Sequence, residues 1–122
     1  KLKRNEDALH TFEMSLDEAK AANDMQLIAN ISKSLGNLHI IMGNIDKAIE
    51  VLSDSIRISE ELNIKTVLML ANQFIAEAYE KKGEIEKSYQ HFKKYFELNE
   101  EIKHTNTDVK LKGLQLKSPQ KH

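Results

Sequence analysis

Hydrophobic residues recur at helical spacing in five successive segments of the chain. Between Asn5 and Asn23, apolar side chains stand three or four positions apart, which is the spacing of one face of an amphipathic α-helix. The pattern therefore predicts an all-α chain of about five helices. The four further segments with the same period end near Met42, Leu62, Lys82 and Ile102.

The residues between these segments are ones that begin or end helices. Asp24 can cap the second helix, and Gly43 supplies the left-handed turn that stops it. Asn63 and Gly83 stand in the corresponding places after the third and fourth helices. Connections of two or three residues leave no route to a distant packing partner, so neighbouring helices are predicted to form antiparallel hairpins.

The helical pattern also repeats itself every 40 residues. Gly43 returns as Gly83, and an earlier half-copy starts near Asn5. A fixed period of this length is typical of a solenoid, in which each unit buries its apolar face only against its neighbours. We therefore expect residues 1–104 to form one repeat domain, made of the second helix of a truncated repeat and two complete repeats. The positions that correspond after the two glycines are Ile45, Ala48, Ile49, Leu52 and Ile56 in one copy and Ile85, Ser88, Tyr89, Phe92 and Phe96 in the next.

Composition narrows the class of protein. Lys and Arg number 18 against 19 Asp and Glu, so no net charge attracts the chain to nucleic acid or to an anionic membrane. The chain has no cysteine, which excludes disulfides and thiolate chemistry and fits a cytoplasmic location. No apolar run approaches the length of a membrane span. Since the first residue is not methionine and the first repeat enters at its second helix, we expect the chain to be part of a longer protein.

Residues that carry catalysis or bind metals are dispersed along the sequence. The five histidines are not paired with one another, or with carboxylates, at a spacing that would hold a metal ion. The chain has neither a serine nucleophile motif nor a glycine-rich phosphate loop. Acidic stretches such as 97–101 lie on helix faces that the pattern predicts to be solvated. We therefore expect no enzymatic activity, no metal and no cofactor.

The repeat resembles the tetratricopeptide repeat, a helix pair with a consensus of small and large residues. In the middle unit, Leu35, Gly36 and His39 occupy the places of the family's leucine, glycine and tyrosine, so His39 is expected in the core. The period of 40 exceeds the family's usual 34, which adds about 9 Å of helix to each unit. This resembles the long-repeat members found in bacterial signalling regulators, and it implies hairpins stacked as a right-handed superhelix. The matching positions of the last unit are Ile75, Ala76, Tyr79, Gly83, Ser88, Phe92 and Tyr95.

The resemblance also implies a concave groove, lined by the first helix of each repeat, that binds a peptide or a partner helix. On the second helix this face carries Asn30, Lys33 and Asn37, whose amides and ammonium can pair with a peptide backbone and a carboxylate. Lys33 and Asn37 match the opening of the clamp that chaperone-binding members use for a terminal carboxylate. Phe74 stands where that clamp needs an asparagine, so we do not expect this activity. The groove candidates of the fourth helix are Gln73, Phe74 and Glu77.

The same residues also have an interpretation that involves no binding. Polar residues on a helix are ordinarily its solvated face. Aromatic residues at helical spacing, such as Phe74, ordinarily belong to the core.

The two ends of the array give a second hypothesis. The first helix lacks a partner from its own repeat, so part of the face formed by Leu9, Phe12 and Leu16 is expected to lack a cover. Each large apolar side chain returned to water forfeits about 1.5–3 kcal/mol, against a total stability of about 5–15 kcal/mol. We therefore expect self-association into a homo-oligomer through these residues, by end-to-end stacking or by exchange of helices.

The apolar pattern is interrupted at 105–108, after the last predicted helix. Two structures are open for the segment 105–122, whose end is expected to be disordered. It forms either a capping helix that folds back over Tyr95 and Phe96, or a linker that leads to a further domain.

The sequence as a whole predicts a non-catalytic protein-interaction module of a larger bacterial regulatory or signalling protein. The alternative function is of another class. It is a structural unit or scaffold, whose terminal helices drive self-association and whose groove binds no ligand.

Overall fold

Residues 2–117 fold into five α-helices, so the all-α prediction is confirmed. The computed structural model describes the backbone of residues 2–117 and the side chains of residues 3–105. No strand is present in this part of the chain, and none of its helices is long and apolar enough to span a membrane. The helices are α1 (Leu2–Ala21), α2 (Met25–Ile41), α3 (Ile45–Leu62), α4 (Lys65–Lys82) and α5 (Ile85–Lys117).

The predicted capping residues stand at the helix ends. The Asp24 side chain accepts a hydrogen bond of 3.1 Å from the backbone N–H of Leu27, in the first turn of α2. Gly43 and Gly83 have φ angles of 85° and 89°, and Asn63 has a φ of 56°. These are left-handed conformations, so the chain turns sharply after α2, α3 and α4. The helix that follows each turn runs antiparallel to the helix before it.

The packing order follows from these short turns. Each helix packs against the next in sequence, and α2 also packs against α4. Helices α2 and α4 therefore lie side by side on one face of the array, while α1, α3 and α5 lie on the other. This arrangement of hairpins stacked in a row is a helical solenoid.

The core lies between α2, α3 and α4. Leu52 and Ile75 are its largest fully buried apolar side chains, with 0% and 1% of their surface exposed. Small residues let the helices approach closely, because a Cβ added to Gly36 would overlap the Leu52 side chain. His39 is 3% exposed, which confirms its prediction as a core residue.

The fifth helix extends to Lys117, beyond the end near Ile102 that the sequence predicted, although the apolar pattern is interrupted at 105–108. The Thr105 hydroxyl donates to the Glu101 carbonyl oxygen at 3.0 Å, so its polar group is satisfied within the helix, and no glycine or proline stands at 105–108 to break it. A continuous α5 does not fold back over Tyr95 and Phe96. Residues 118–122, predicted to be disordered, lie outside the described residues.

Candidate functional site

Four of the six predicted groove residues line two adjoining hollows between α2 and α4. The first hollow, of about 480 Å³, is lined by Asn30 and Lys33 among others. The second, of about 360 Å³, is lined by Lys33, Asn37 and Phe74. Lys33 and Leu70 line both hollows, so the two form one continuous depression, which we call the α2–α4 groove.

The polar groups of the groove are accessible rather than locked in the core. The Lys33 ammonium donates a hydrogen bond of 2.9 Å to the Asn30 side-chain oxygen, one turn away on the same helix. This pair lies in an exposed setting, so it contributes little to stability and exchanges readily for contacts with a ligand. The groove therefore offers a cation and amides that can donate and accept.

The apolar part of the groove comes from three helices. Phe74 packs against the core cluster and also lines the groove, so it belongs to both. Ile41 is 62% exposed at the same place, and Phe12 reaches the groove from α1. Neither Phe12 nor Ile41 was predicted for this site. The sequence could have indicated Ile41 as a candidate, because the equivalent position of the next repeat holds the charged Lys81 instead of an apolar residue.

Two predicted groove residues lie outside these hollows. Gln73 and Glu77 are half-buried on α4 and line neither of them. The structure therefore gathers the α2 candidates and Phe74 into one surface and leaves the other two α4 candidates beside it.

The three residues predicted for self-association have different surroundings. Phe12 lines the α2–α4 groove and a neighbouring apolar hollow of about 420 Å³ between α1 and α2, which also contains Leu27. Leu16 packs instead against the buried cluster that contains Ile28. Leu9 is half-buried. Phe12 is therefore the member of this set that faces the hollow beside α2.

A family comparison identifies the repeat. The family model described as Tetratricopeptide repeat matches residues 28–62 and 71–102, which together make up more than half of the chain. The chain belongs to the tetratricopeptide repeat family. Tetratricopeptide repeats generally mediate protein–protein interaction, and the family is typically a non-catalytic interaction module. No curated protein matches the chain.

The matched segments agree with the helix pairs. The first covers most of α2 and all of α3, and the second covers most of α4 and the first half of α5. These are the two complete repeats, and α1 stands before them as a separate helix. Within the described part of the two repeats and α1, no group of three or more His, Asp or Glu side chains is placed to hold a metal ion.

Each tetratricopeptide repeat holds one histidine with a lowered pKa. Burial lowers the pKa of His39 below the usual 6.5, an effect that the nearby Glu13 carboxylate partly opposes. Burial likewise lowers the pKa of His91, and Glu60 opposes it. Both imidazoles are therefore neutral at pH 7.

The two lowered pKa values make stability depend on pH. As the pH falls through 6.5, the unfolded chain binds protons at these histidines that the folded chain does not, so stability is greatest well above pH 6.5 and falls as the pH falls. We expect a loss between pH 7 and pH 5.5 with a slope of at most about 1.4 kcal/mol per pH unit for each histidine. Urea unfolding at several pH values measures it. The variant His39→Tyr, which carries the residue of the next repeat, should show a smaller slope, and an unchanged slope would contradict this assignment.

Proposed function

We propose that the α2–α4 groove binds a peptide segment of a partner protein. The observation that carries the proposal is the continuous groove itself, in which Asn30, Lys33 and Asn37 stand along one side of α2 opposite Leu70 and Phe74. An extended peptide exposes backbone N–H and C=O groups at each residue, which side-chain amides can match. The apolar groups opposite supply a place for its side chains, and Lys33 supplies a contact for a carboxylate.

The size of the groove suits a short peptide. The α2 residues that line it run from Gln26 to Ile41, about 22 Å of helix at 1.5 Å per residue. An extended chain of six or seven residues has this length, at about 3.3 Å per residue. A partner helix of four turns has it as well, and the same groove serves either conformation.

The proposal is tested by binding of peptides selected from a random library. Dissociation constants are measured by fluorescence anisotropy for the parent chain and for the double variant Lys33→Ala/Asn37→Ala. We expect the double variant to bind at least tenfold more weakly, because it loses charge-assisted and amide hydrogen bonds worth about 1.5 kcal/mol or more in total. The matched control is Lys93→Ala/Lys94→Ala, which changes two exposed residues of α5 outside both hollows and should bind like the parent. Equal binding by all three chains would contradict the proposal.

The second candidate function is self-association as a structural unit, and the exposed apolar residues at the ends of the array favour it. Leu27 on α2 is 43% exposed, whereas the equivalent Val67 on α4, which packs beside α2, is 8% exposed. On α5, Tyr89 and Phe96 are 66% and 61% exposed, whereas the equivalent residues of α3 pack against the core. Both terminal faces thus present apolar surface that the interior repeat covers with a neighbouring helix.

Sedimentation velocity over a concentration series tests this candidate. We expect a dimer whose dissociation constant rises at least tenfold on Phe12→Ser, since one large apolar side chain at an interface contributes about 1.5–3 kcal/mol. Phe96→Ser at the other end of the array shows which face forms the contact. A strict monomer at the highest concentration would exclude the candidate.

We also propose a location and a role for the protein that contains this chain. The long repeat supports a role as the interaction module of a cytoplasmic bacterial regulatory or signalling protein. Fractionation of cells and recovery of the natural protein with its partners test this setting independently of the groove.

A further inference from the structure

A further cavity lies on the side of α2 opposite the α2–α4 groove. It has a volume of about 600 Å³ and runs between α1 and α3, with α2 as its floor from Met25 to His39. We call it the α1–α3 cleft. Its floor is about 21 Å long at 1.5 Å per residue. The apolar residues that line it are Leu16, Met25, Ile28, Leu35, Val51 and Ile58.

The next repeat places a ring at the corresponding position. There the half-buried His91 of α5 packs over α4. The His91 Nδ1 lies 2.8 Å from the Asn72 side-chain oxygen, and its ring stacks on that of Tyr79 with centroids 5.6 Å apart and an interplanar angle of 13°. In the second repeat, this position therefore accommodates a planar ring that carries a polar atom.

The α1–α3 cleft has smaller residues at the corresponding positions. Forty residues earlier, His91 is replaced by Val51 and Asn72 by Ser32, while His39 takes the place of the stacking Tyr79. No ring from α3 reaches across the floor. The space that the imidazole occupies in one repeat is thus open in the other, next to a second imidazole that lines it.

One ring nitrogen of His39 has no hydrogen-bond partner among the described residues. This nitrogen is Nε2, and the His39 side chain is 97% buried, being 3% exposed. The Asn44 amide nitrogen lies 3.3 Å from Nδ1. Because an amide nitrogen only donates, Nδ1 accepts and Nε2 carries the hydrogen. A buried N–H group without an acceptor is unfavourable, so an acceptor brought by a ligand would be stabilised there.

The walls of the cleft do not select a charge. The groups whose charges act on the His39 imidazole are Glu13 on α1 and Lys47 and Glu50 on α3, so both signs are present. A small anion or cation gains little in such surroundings. A neutral aromatic group with a peptide chain on either side fits better, because the chain can meet charges of both signs along the walls.

We propose that the α1–α3 cleft is a second binding site, which takes a histidine or other aromatic side chain of a partner peptide in the place that His91 fills in the next repeat. The ring takes the space beside Ser32 and Val51, and the buried His39 side chain turns as the ligand enters, so that its Nε2–H reaches an acceptor atom of the ligand. The volume lies within the range of about 300–1,000 Å³ that is usual for ligand sites. This site is separate from the α2–α4 groove and does not depend on the proposed function of that groove.

The test grafts the arrangement of the second repeat onto the first. The double variant Ser32→Asn/Val51→His carries the residues that stand at the corresponding positions of the second repeat. A random heptapeptide library is selected on the parent chain with counter-selection on this variant, and dissociation constants of the enriched peptides are measured for both. We expect peptides that share a histidine or an aromatic residue, and binding at least tenfold weaker to the graft, a difference of about 1.4 kcal/mol or more.

A second variant keeps the test decisive if the graft folds poorly. His39→Phe retains the ring and removes the Nε2–H, so it should weaken the same peptides about threefold to tenfold, in line with one hydrogen bond. Lys33→Ala/Asn37→Ala should leave them unaffected, which separates this site from the α2–α4 groove. The proposal is overturned if the enriched peptides lack a ring, if graft and parent bind them equally, or if free 4-methylimidazole binds the parent as tightly as the peptides do.

Discussion

Gly36→Ala is expected to destabilise the protein by about 2–3 kcal/mol, although alanine is the better helix former. A Cβ at position 36 would overlap the Leu52 side chain, which is fully buried. The intrinsic gain from replacing a glycine inside a helix is about 1 kcal/mol, which is less than the cost of overpacking. Urea unfolding followed by circular dichroism measures the difference.

The next repeat supplies the control for this prediction. Ala76 stands at the position equivalent to Gly36 and is fully buried, so α4 has room for the Cβ that α2 lacks. Ala76→Gly should cost about 1 kcal/mol, through helix propensity. Gly36→Ala combined with Leu52→Ala should be less destabilised than the sum of the two single variants, because the second change removes the overlap. A Gly36→Ala chain as stable as the parent would show that α2 and α3 do not approach this closely.

Leu52→Ala should have the largest effect of any single truncation, about 3–5 kcal/mol. Leu52 has 0% of its surface exposed and belongs to the core cluster formed by α2, α3 and α4. Removing three of its carbon atoms leaves a cavity that helices held by short turns cannot close. The free energy of unfolding is again measured in urea.

Phe96→Ala is the matched control, because the Phe96 side chain is larger than that of Leu52 but less of it is buried. Phe96 is 61% exposed on α5, so its truncation should change stability by no more than about 0.5 kcal/mol. A cost close to that of Leu52→Ala would mean that the outer face of α5 is covered in solution. The comparison therefore also reports on self-association at that end.

The helix boundaries were predictable because they depend on single residues. A left-handed turn needs glycine or asparagine, and Gly43, Asn63 and Gly83 follow directly on apolar helical segments. The repeat itself was equally visible, since packing of one unit on the next requires the same residue sizes at the same spacing. Fold class and order of helices follow from these two features.

The end of α5 was not predictable in the same way. The polar run at 105–108 weakens the apolar pattern, but a break in that pattern ends a helix only if the backbone gains something by leaving it. The Thr105 hydroxyl bonds to the helix backbone instead. Apolar periodicity therefore did not mark the end of this helix.

The candidate site was predictable only in part, because a groove depends on the sizes of residues on several helices at once. Sequence spacing placed Asn30, Lys33 and Asn37 on one face of α2, and the structure shows them along one groove. This spacing did not reveal Phe12 as a groove residue, because Phe12 lies on α1. The α1–α3 cleft was also missed, although Val51 in the place of His91 is a size difference that comparison of the two repeats exposes.

The most direct test of the central claim is to locate a bound peptide on the chain by NMR. A library-selected peptide carrying a nitroxide label broadens the amide signals of residues near it, and a reduced label provides the reference spectrum. We expect the broadened signals to cluster at Asn30, Lys33, Asn37 and Phe74, while those of Glu50 and Asp54 on α3 stay sharp. Broadening confined to the α1–α3 cleft or to the outer face of α5, with the α2–α4 groove unaffected, would contradict the claim that this groove is the principal binding surface.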